Sequence, residues 1–419
     1  MKLTKEIQEF LLNDAVKRFL RYVKVWTSSD ENVETVPSTK QQLDLGKLLV
    51  DELKALNLQN IIHDEFGFVY ATLPASKGFE KIKPIGLLAH MDTYFGVNGK
   101  DVKTVIHKDY DGKDIKFFKN KDLILTSDDS PNLEEYIGFD LITSEGDTLL
   151  GADDKAGIAE IMSACAAWEK FTHLKHGPII ICFTTDEEIG LGIKKIDKKK
   201  IPGICYTVDG GEMGELEFEC FDAWAAQFTF RGLSVHPGHA KNKMINAIQI
   251  ASRYFSDLPE SESPEKTEER EGFLHLTKLE GNAEEAVARM IIRDFEEKNN
   301  EKRMEFLNKL KEVYEIRYPG LKIDINFRHQ YLNMLKYIEK KPIVIDLAKQ
   351  AIEKTGIEVK IHSIRGGTDG ARLSAQGIPT PNIFTGGHLF HSRKEYIPTI
   401  ALQKASEVLI YLAELWTHQ

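Results

Sequence analysis

No apolar run in this chain approaches the roughly 20 residues that a membrane-crossing helix needs, so no membrane partner is expected. Basic residues are in deficit: 55 Lys and Arg face 65 Asp and Glu, a formal charge of −10. Nucleic-acid binding draws on clustered Lys and Arg, and with no such stripe no nucleic-acid partner is expected. Cysteines number four (Cys165, Cys182, Cys205, Cys220), each in an apolar or strand-like stretch and none in CxxC spacing. That argues for buried reduced thiols in a reducing cytosol, hence a cytoplasmic protein. Fixed-period repeats are absent. At the N-terminus, Ile7, Phe10, Leu11, Val16 and Phe19 recur at helical spacing between charges, the mark of an amphipathic helix and not of a signal peptide.

What is present is enough apolar sequence, 42% of 419 residues, for a large core and two domains. Short apolar runs, "PIGLLAH" (84–90), "GPIIICFTT" (177–185), "GICYTVDGG" (203–211) and "PTPNIFTGGHLFH" (379–391), alternate with helical patterns and end in polar residues. This predicts an α/β domain with a mostly parallel central sheet whose site lies beyond the carboxyl ends of the strands. "IALQKASEVLIYLAELW" reads as the closing helix. Between about 220 and 331 the order becomes strand, helix, strand, strand, helix, strand, a ferredoxin-like α+β unit. The expected organisation is a discontinuous catalytic domain (1–219 and 332–419) with an inserted lid or dimerisation-type domain (220–331). Within the insert, "PESESPEKTEEREG" reads as a solvated acidic loop.

The stretch "GADDKAGIAEIM" (151–162) sets Asp153 beside Asp154 at the start of an apolar helix. A helix cap would explain one of them. Two adjacent carboxylates call for a cation or a proton, and a divalent ion would neutralise them. Other ligand types gather at strand ends: His90 and Asp92 in "AHMDT", Asp186, Glu187 and Glu188 in "TTDEEIG", Asp209 in "TVDGGE", His388 and His391 in "GGHLFHSRKE". Each has a bland reading as a turn or a satisfied polar residue. Together they exceed one tetrahedral shell of mixed histidine and carboxylate donors, which points to two ions sharing a carboxylate. Glycines near Lys155, at Gly157 and from Gly366 to Gly370 are read as close backbone approaches, since lone glycine patterns are weak evidence for a phosphate loop.

The motifs "HMD", "GADDKAG", "TTDEEIG", "VDGGE", "SVHPGHAKNKMINA", "IIRDF" and "RGGTDGARLSAQGIPTPNIFTGGHLFH" together resemble the peptidase T family of tripeptide aminopeptidases. These are dinuclear zinc exopeptidases related to glutamate carboxypeptidase and aminoacylase, and the resemblance spans the whole chain in order. It implies that Asp153 bridges two ions, that His90 and Asp209 complete one set of ligands, and that Glu188 and His391 complete the other. By the same resemblance Glu187 is the general base, Asp92 orients His90, and a cis peptide follows Asp153, leaving Asp154 to support the turn. His236 would polarise the scissile carbonyl, and Arg293 would grip the carboxylate of the peptide. His388 stays outside the metal shell.

The implied cofactors are two divalent metal ions per chain, zinc first, with cobalt or manganese as substitutes. The implied substrate is a tripeptide with a free N-terminus. Relatives of this kind often pair through the outer strand edge of the inserted domain, which leaves a homodimer open. The same site could serve a dipeptidase, carboxypeptidase or aminoacylase. An RNA-binding reading of the insert lacks the aromatic sheet signature and the positive charge that it needs.

Overall fold

A computed structural model describes residues 2–419, which divide into two units. The first comprises the chain up to Phe218 with Lys336–His362 and Thr368–Gln419; the second comprises Glu219–Leu335 with Ser363–Gly367. The short return segment 363–367 lies outside the stretch that the sequence singled out. It belongs with the second unit through bonds within that unit: Phe221 N donates to the Ile364 carbonyl, and the Arg365 guanidinium donates to the carbonyls of Glu269, Glu271 and Thr267.

The first unit is built on an eight-stranded sheet, whose last two strands each run two residues past the unit's bounds. Its order is Gln59–His63, Val69–Leu73, Ile179–Thr184, Ile85–His90, Cys205–Gly210, Asn382–Phe384, Glu215–Cys220, Lys360–Ile364. The four central strands, Ile179–Thr184 to Asn382–Phe384, pair in parallel. Ile85–His90 is buried at every position, as a central strand covered on both faces must be, and so reads as an unbroken apolar run. Register levels the strand ends: His90 faces Thr184, Leu88 faces Thr207, and Phe384 faces Gly210. The polar residues that follow these strands therefore emerge side by side.

The helices Lys5–Tyr22, Ala152–Lys170 and Thr399–Trp416 pack on one another. The N-terminal helix buries Ile7, Leu11, Ala15, Phe19 and Tyr22, one stripe at helical spacing. Ala152–Lys170 is buried nearly throughout and lies against the strands at 85–90 and 205–210. Gly157 makes that approach: a Cβ there would collide with the Val208 carbonyl oxygen and press on Asp154 Oδ1. The C-terminal run 379–391 is a strand over Asn382–Phe384 and then turns through Leu389 and His391 at φ 55° and 58°, with His388 bridged to Tyr396, so both histidines follow the strand. A small sheet of Thr104–His107, Leu141–Ser144 and Tyr396–Pro398 was not foreseen.

The second unit is an antiparallel four-stranded sheet ordered Phe273–Gly281, Glu285–Asp294, Asp222–Arg231, Lys322–Tyr331, with helices Ala247–Ser256 and Glu297–Arg317. Chain order and sheet order together are ferredoxin-like. Its core joins Phe228, Phe230, Tyr254, Met290, Ile292, Leu307 and Tyr314. The acidic stretch at 259–272 is largely exposed, as a solvated loop is, with two short 3-10 turns, and Glu262 accepts from Arg303 Nε at 2.5 Å.

The Gly157 contact gives a test of the first unit. Gly157→Ala should destabilise the protein by about 3 kcal/mol or more, because the obstructing atom is backbone and cannot rotate away. Thermal unfolding measures it, and a melting temperature equal to that of the parent protein would contradict the assigned contact.

Candidate metal centre

Beyond the levelled strand ends of the first unit, carboxylates and imidazoles converge on Asp153. Its Oδ1 lies 2.8 Å from His90 Nε2 and its Oδ2 lies 3.1 Å from His391 Nε2, so the two oxygens face different histidines. Asp209 Oδ1 joins the His90 side at 3.4 Å, and Glu188 Oε2 joins the His391 side at 2.9 Å. Two donor sets, His90 with Asp153 and Glu188 and His90 with Asp154 and Asp209, have ligand atoms within 4.8 Å of one another. Of the adjacent aspartates, Asp154 is the one tied to backbone: Oδ2 accepts from His90 N and Oδ1 from Gly157 N. The peptide between them is cis.

Asp92, fully buried, organises three neighbours at once. Its Oδ1 and Oδ2 accept the amides of Glu187 and Glu188 at 3.0 and 3.1 Å, and Oδ1 lies 3.4 Å from His90 Nδ1. His90 Nδ1 meets the Asp92 backbone carbonyl at 3.1 Å, so it is occupied and Nε2 is left to face the acids. Asp186, from the same run as the two glutamates, turns away at φ 55° and is held by Ser38 and Gln42. Glu187 Oε1 is buried without a hydrogen-bond partner among the described residues, with Arg372 Nη1 at 3.6 Å. Tyr94 stacks on the His391 ring at 4.2 Å and 7°, steadying the most exposed of these side chains.

The electrostatics are those of an acid-rich cluster. Burial opposes the His90 imidazolium, yet Asp209, Asp153 and Asp92 raise it well above the ordinary histidine range. His391, likewise opposed by burial, is raised to about 11 by Asp153 and Glu188. Burial pushes Glu188 up to about 8, Asp209 to about 6 and Glu187 well above the carboxylate range, with neighbouring acids adding to it. Asp153 is held below that range, against its burial, by His391 and His90. Oxygen and imidazole donors crowded until protons must be retained are a donor set suited to divalent cations of the zinc type.

Two residues escaped the sequence. Asn382 accepts the Asp209 amide on Oδ1 and donates to half-buried Glu217. Glu395 accepts from the loop that leads into Asp153. Burial pushes Glu395 up to about 7 while the amides of Gly151, Asp153 and Leu150 pull it down. No local pattern marks either residue, since both act on backbone far away in sequence.

His236 and Arg293 lie in the second unit. His236 Nδ1 accepts from Gly238 N at 3.1 Å, which leaves Nε2 to carry the proton of the neutral ring. Arg293 is buried, and its Nη1 donates to the carbonyls of Trp224 and Ile292 at 3.0 Å. The neighbouring acid Asp294 pairs with Arg303 instead.

The model of peptidase family M20/M25/M40 matches residues 139–415. The chain is 48% identical to Peptidase T of Bacillus subtilis, over 97% of this chain and 99% of that protein. It is 45% identical to Peptidase T of Clostridium acetobutylicum, over 97% of this chain and all of that one. In fold it is similar to the crystal structure of aminopeptidase PepT from Bacillus cereus, with a TM-score of 0.75 at 23% identity, covering 97% of this chain and 99% of that one.

His388, in the same loop as His391, is turned elsewhere: its Nε2 meets the Tyr136 hydroxyl at 2.9 Å and its ring stacks on Tyr396. Burial, with Lys360 adding, pushes it down to about 4. The unfolded chain therefore takes up a proton near pH 6.5 that the folded chain refuses until about pH 4, so His388 costs stability as pH falls through that window, by about 3 kcal/mol in full. His388→Asn should flatten the loss of stability between pH 6.5 and 4, read by denaturant unfolding at several pH values; an unchanged slope would contradict a buried neutral ring.

Proposed function

Because the chain belongs to peptidase family M20/M25/M40, we infer that it is a metallo-aminopeptidase that removes the N-terminal residue from tripeptides. The observation that carries this reading is that His90 and His391 face different oxygens of Asp153, with Asp209 against His90 and Glu188 against His391. Two divalent ions, zinc first with cobalt or manganese as substitutes, would be held by His90, Asp153 and Asp209 and by Asp153, Glu188 and His391, and would supply Lewis acidity and a hydrolytic nucleophile near neutral pH.

The chain's own residues do the rest. Glu187 takes the proton of the attacking water at Oε1, which has no hydrogen-bond partner among the described residues, and returns it to the leaving amine. Asp92 holds the amides of Glu187 and Glu188, so two consecutive acids keep different directions. His236 offers an Nε2–H to the scissile carbonyl, an oxyanion-type role supported by its occupied Nδ1. Arg293 supplies a planar fork for the peptide's carboxylate. An extended tripeptide is only about 10 Å long, so fixing both of its ends would select length. The same reading puts the enzyme in the cytoplasm, in keeping with four buried cysteines that form no disulfide. It leaves pairing through the edge of the inserted unit as an option, and no helix among the described residues is long and apolar enough to cross a membrane.

Three measurements test the reading. Glu187→Gln should keep fold and metal content while losing about 10²- to 10⁴-fold in turnover, since the amide cannot take the proton; near-normal kcat would remove Glu187 from the mechanism. In elemental analysis Asp153→Ala should disturb both ions and Asp154→Ala the turn more than the metal count; equal loss would contradict the bridging role. A panel of unblocked di-, tri- and tetrapeptides and tripeptide amides should favour the free tripeptide, and Arg293→Ala should lower its kcat/KM by roughly 10- to 150-fold with little effect on the amide. Preference for dipeptides or acylated amino acids would instead favour a dipeptidase, carboxypeptidase or aminoacylase.

A further inference from the structure

The loop that delivers Asp153 and the loop that delivers His391 are joined by a side chain outside the proposed ligand set. Glu395 is 2% exposed and accepts four consecutive backbone amides. Leu150 and Gly151 donate to Oε2 at 2.7 and 2.8 Å, and Ala152 and Asp153 donate to Oε1 at 2.7 and 3.3 Å. Those of Gly151, Ala152 and Asp153 are amides that the start of helix Ala152–Lys170 leaves without intrahelical partners, and Gly151 at its N-cap has no side chain to offer. The chain bends sharply here: Gly151 is left-handed at φ 82°, and Asp153 is extended at ψ 106°. Glu395 sits four residues after His391 and is followed by Tyr396–Pro398, whose pairing with Leu141–Ser144 anchors it. One carboxylate, using both oxygens, therefore fixes where the Asp153 backbone lies relative to the loop that carries His391.

We infer that Glu395 is a positioning residue for the dinuclear centre, holding the Asp153 loop against the His391 loop so that Oδ1 of Asp153 faces His90 while Oδ2 faces His391. The inference rests on the proposed metal centre. Bonds from amides to a charged carboxylate are stronger and shorter than neutral ones, and loss of groups that orient metal ligands lowers metal affinity by about 10- to 100-fold. A glutamine in this position would turn its NH2 toward two of the four amides and set donor against donor.

The test compares the full-length protein with Glu395→Gln, Glu395→Asp and, as a control, Glu407→Gln, a buried acid on the last helix bonded to Gln403 and Lys404. Zinc affinity is read by competition with a chromophoric chelator, cobalt-loaded protein by its visible absorption, and metal-free protein by thermal unfolding. Expected for both Glu395 variants are a 10- to 100-fold weaker zinc affinity and an altered cobalt spectrum, even where the melting temperature falls no further than in Glu407→Gln. Glu395→Asp keeps the charge but is too short to span both pairs of amides, so it carries the test if Glu395→Gln does not fold. Parent affinity and spectrum in a folded Glu395 variant, or the same losses in Glu407→Gln, would overturn the inference. Failure of the unmodified protein to take up zinc would instead sink the metal centre itself.

Discussion

The parallel register of the central strands governs the rest of the site. Because His90 stands opposite Thr184 and Leu88 opposite Thr207, the loops that follow begin at one height. Short side chains can then meet without long connecting segments. The close approach of the helix from Ala152 to the strand at 205–210, made at Gly157, brings Asp153 to the same level. Levelling also concentrates anionic groups in a space sheltered from water, and this is costly until cations or protons balance it.

Backbone amides, more than side-chain cations, spread that charge in the protein itself. Asp92 takes two amides from the run that carries both glutamates, Asp154 takes those of His90 and Gly157, and Glu395 takes four in a row. Each such acid is fixed by geometry that the fold already provides. The acids that remain without amides, Asp153, Asp209, Glu188 and Glu187, point their oxygens inward, and these are the ones assigned to metal or proton.

Much of this was legible in the sequence, for an identifiable reason. Apolar runs ending in His, Asp or Glu advertise buried parallel strands with functional ends, and the order of elements from 222 to 331 gave the ferredoxin-like unit directly. Composition and spacing could not separate Asp153 from Asp154, because both are acids in one turn; the motif resemblance separated them, and the amides bound by Asp154 give the physical difference. The small sheet containing Thr104–His107 stayed hidden because its strands are short and pair across long gaps in the chain. Asn382 and Glu395 stayed hidden because a residue that acts on distant backbone leaves no local pattern.

The clamp at Glu395 bears on how this chain can drift over generations. It grips main chain alone, so the side chains of Leu150 and Ala152 are invisible to it and are constrained only by the space around them. Proline is the exception, having no N–H to give, and Gly151 is held by its left-handed backbone. Proline apart, change at 150 and 152 is thus filtered by volume, whereas a single codon change at 395 reaches all four positions together.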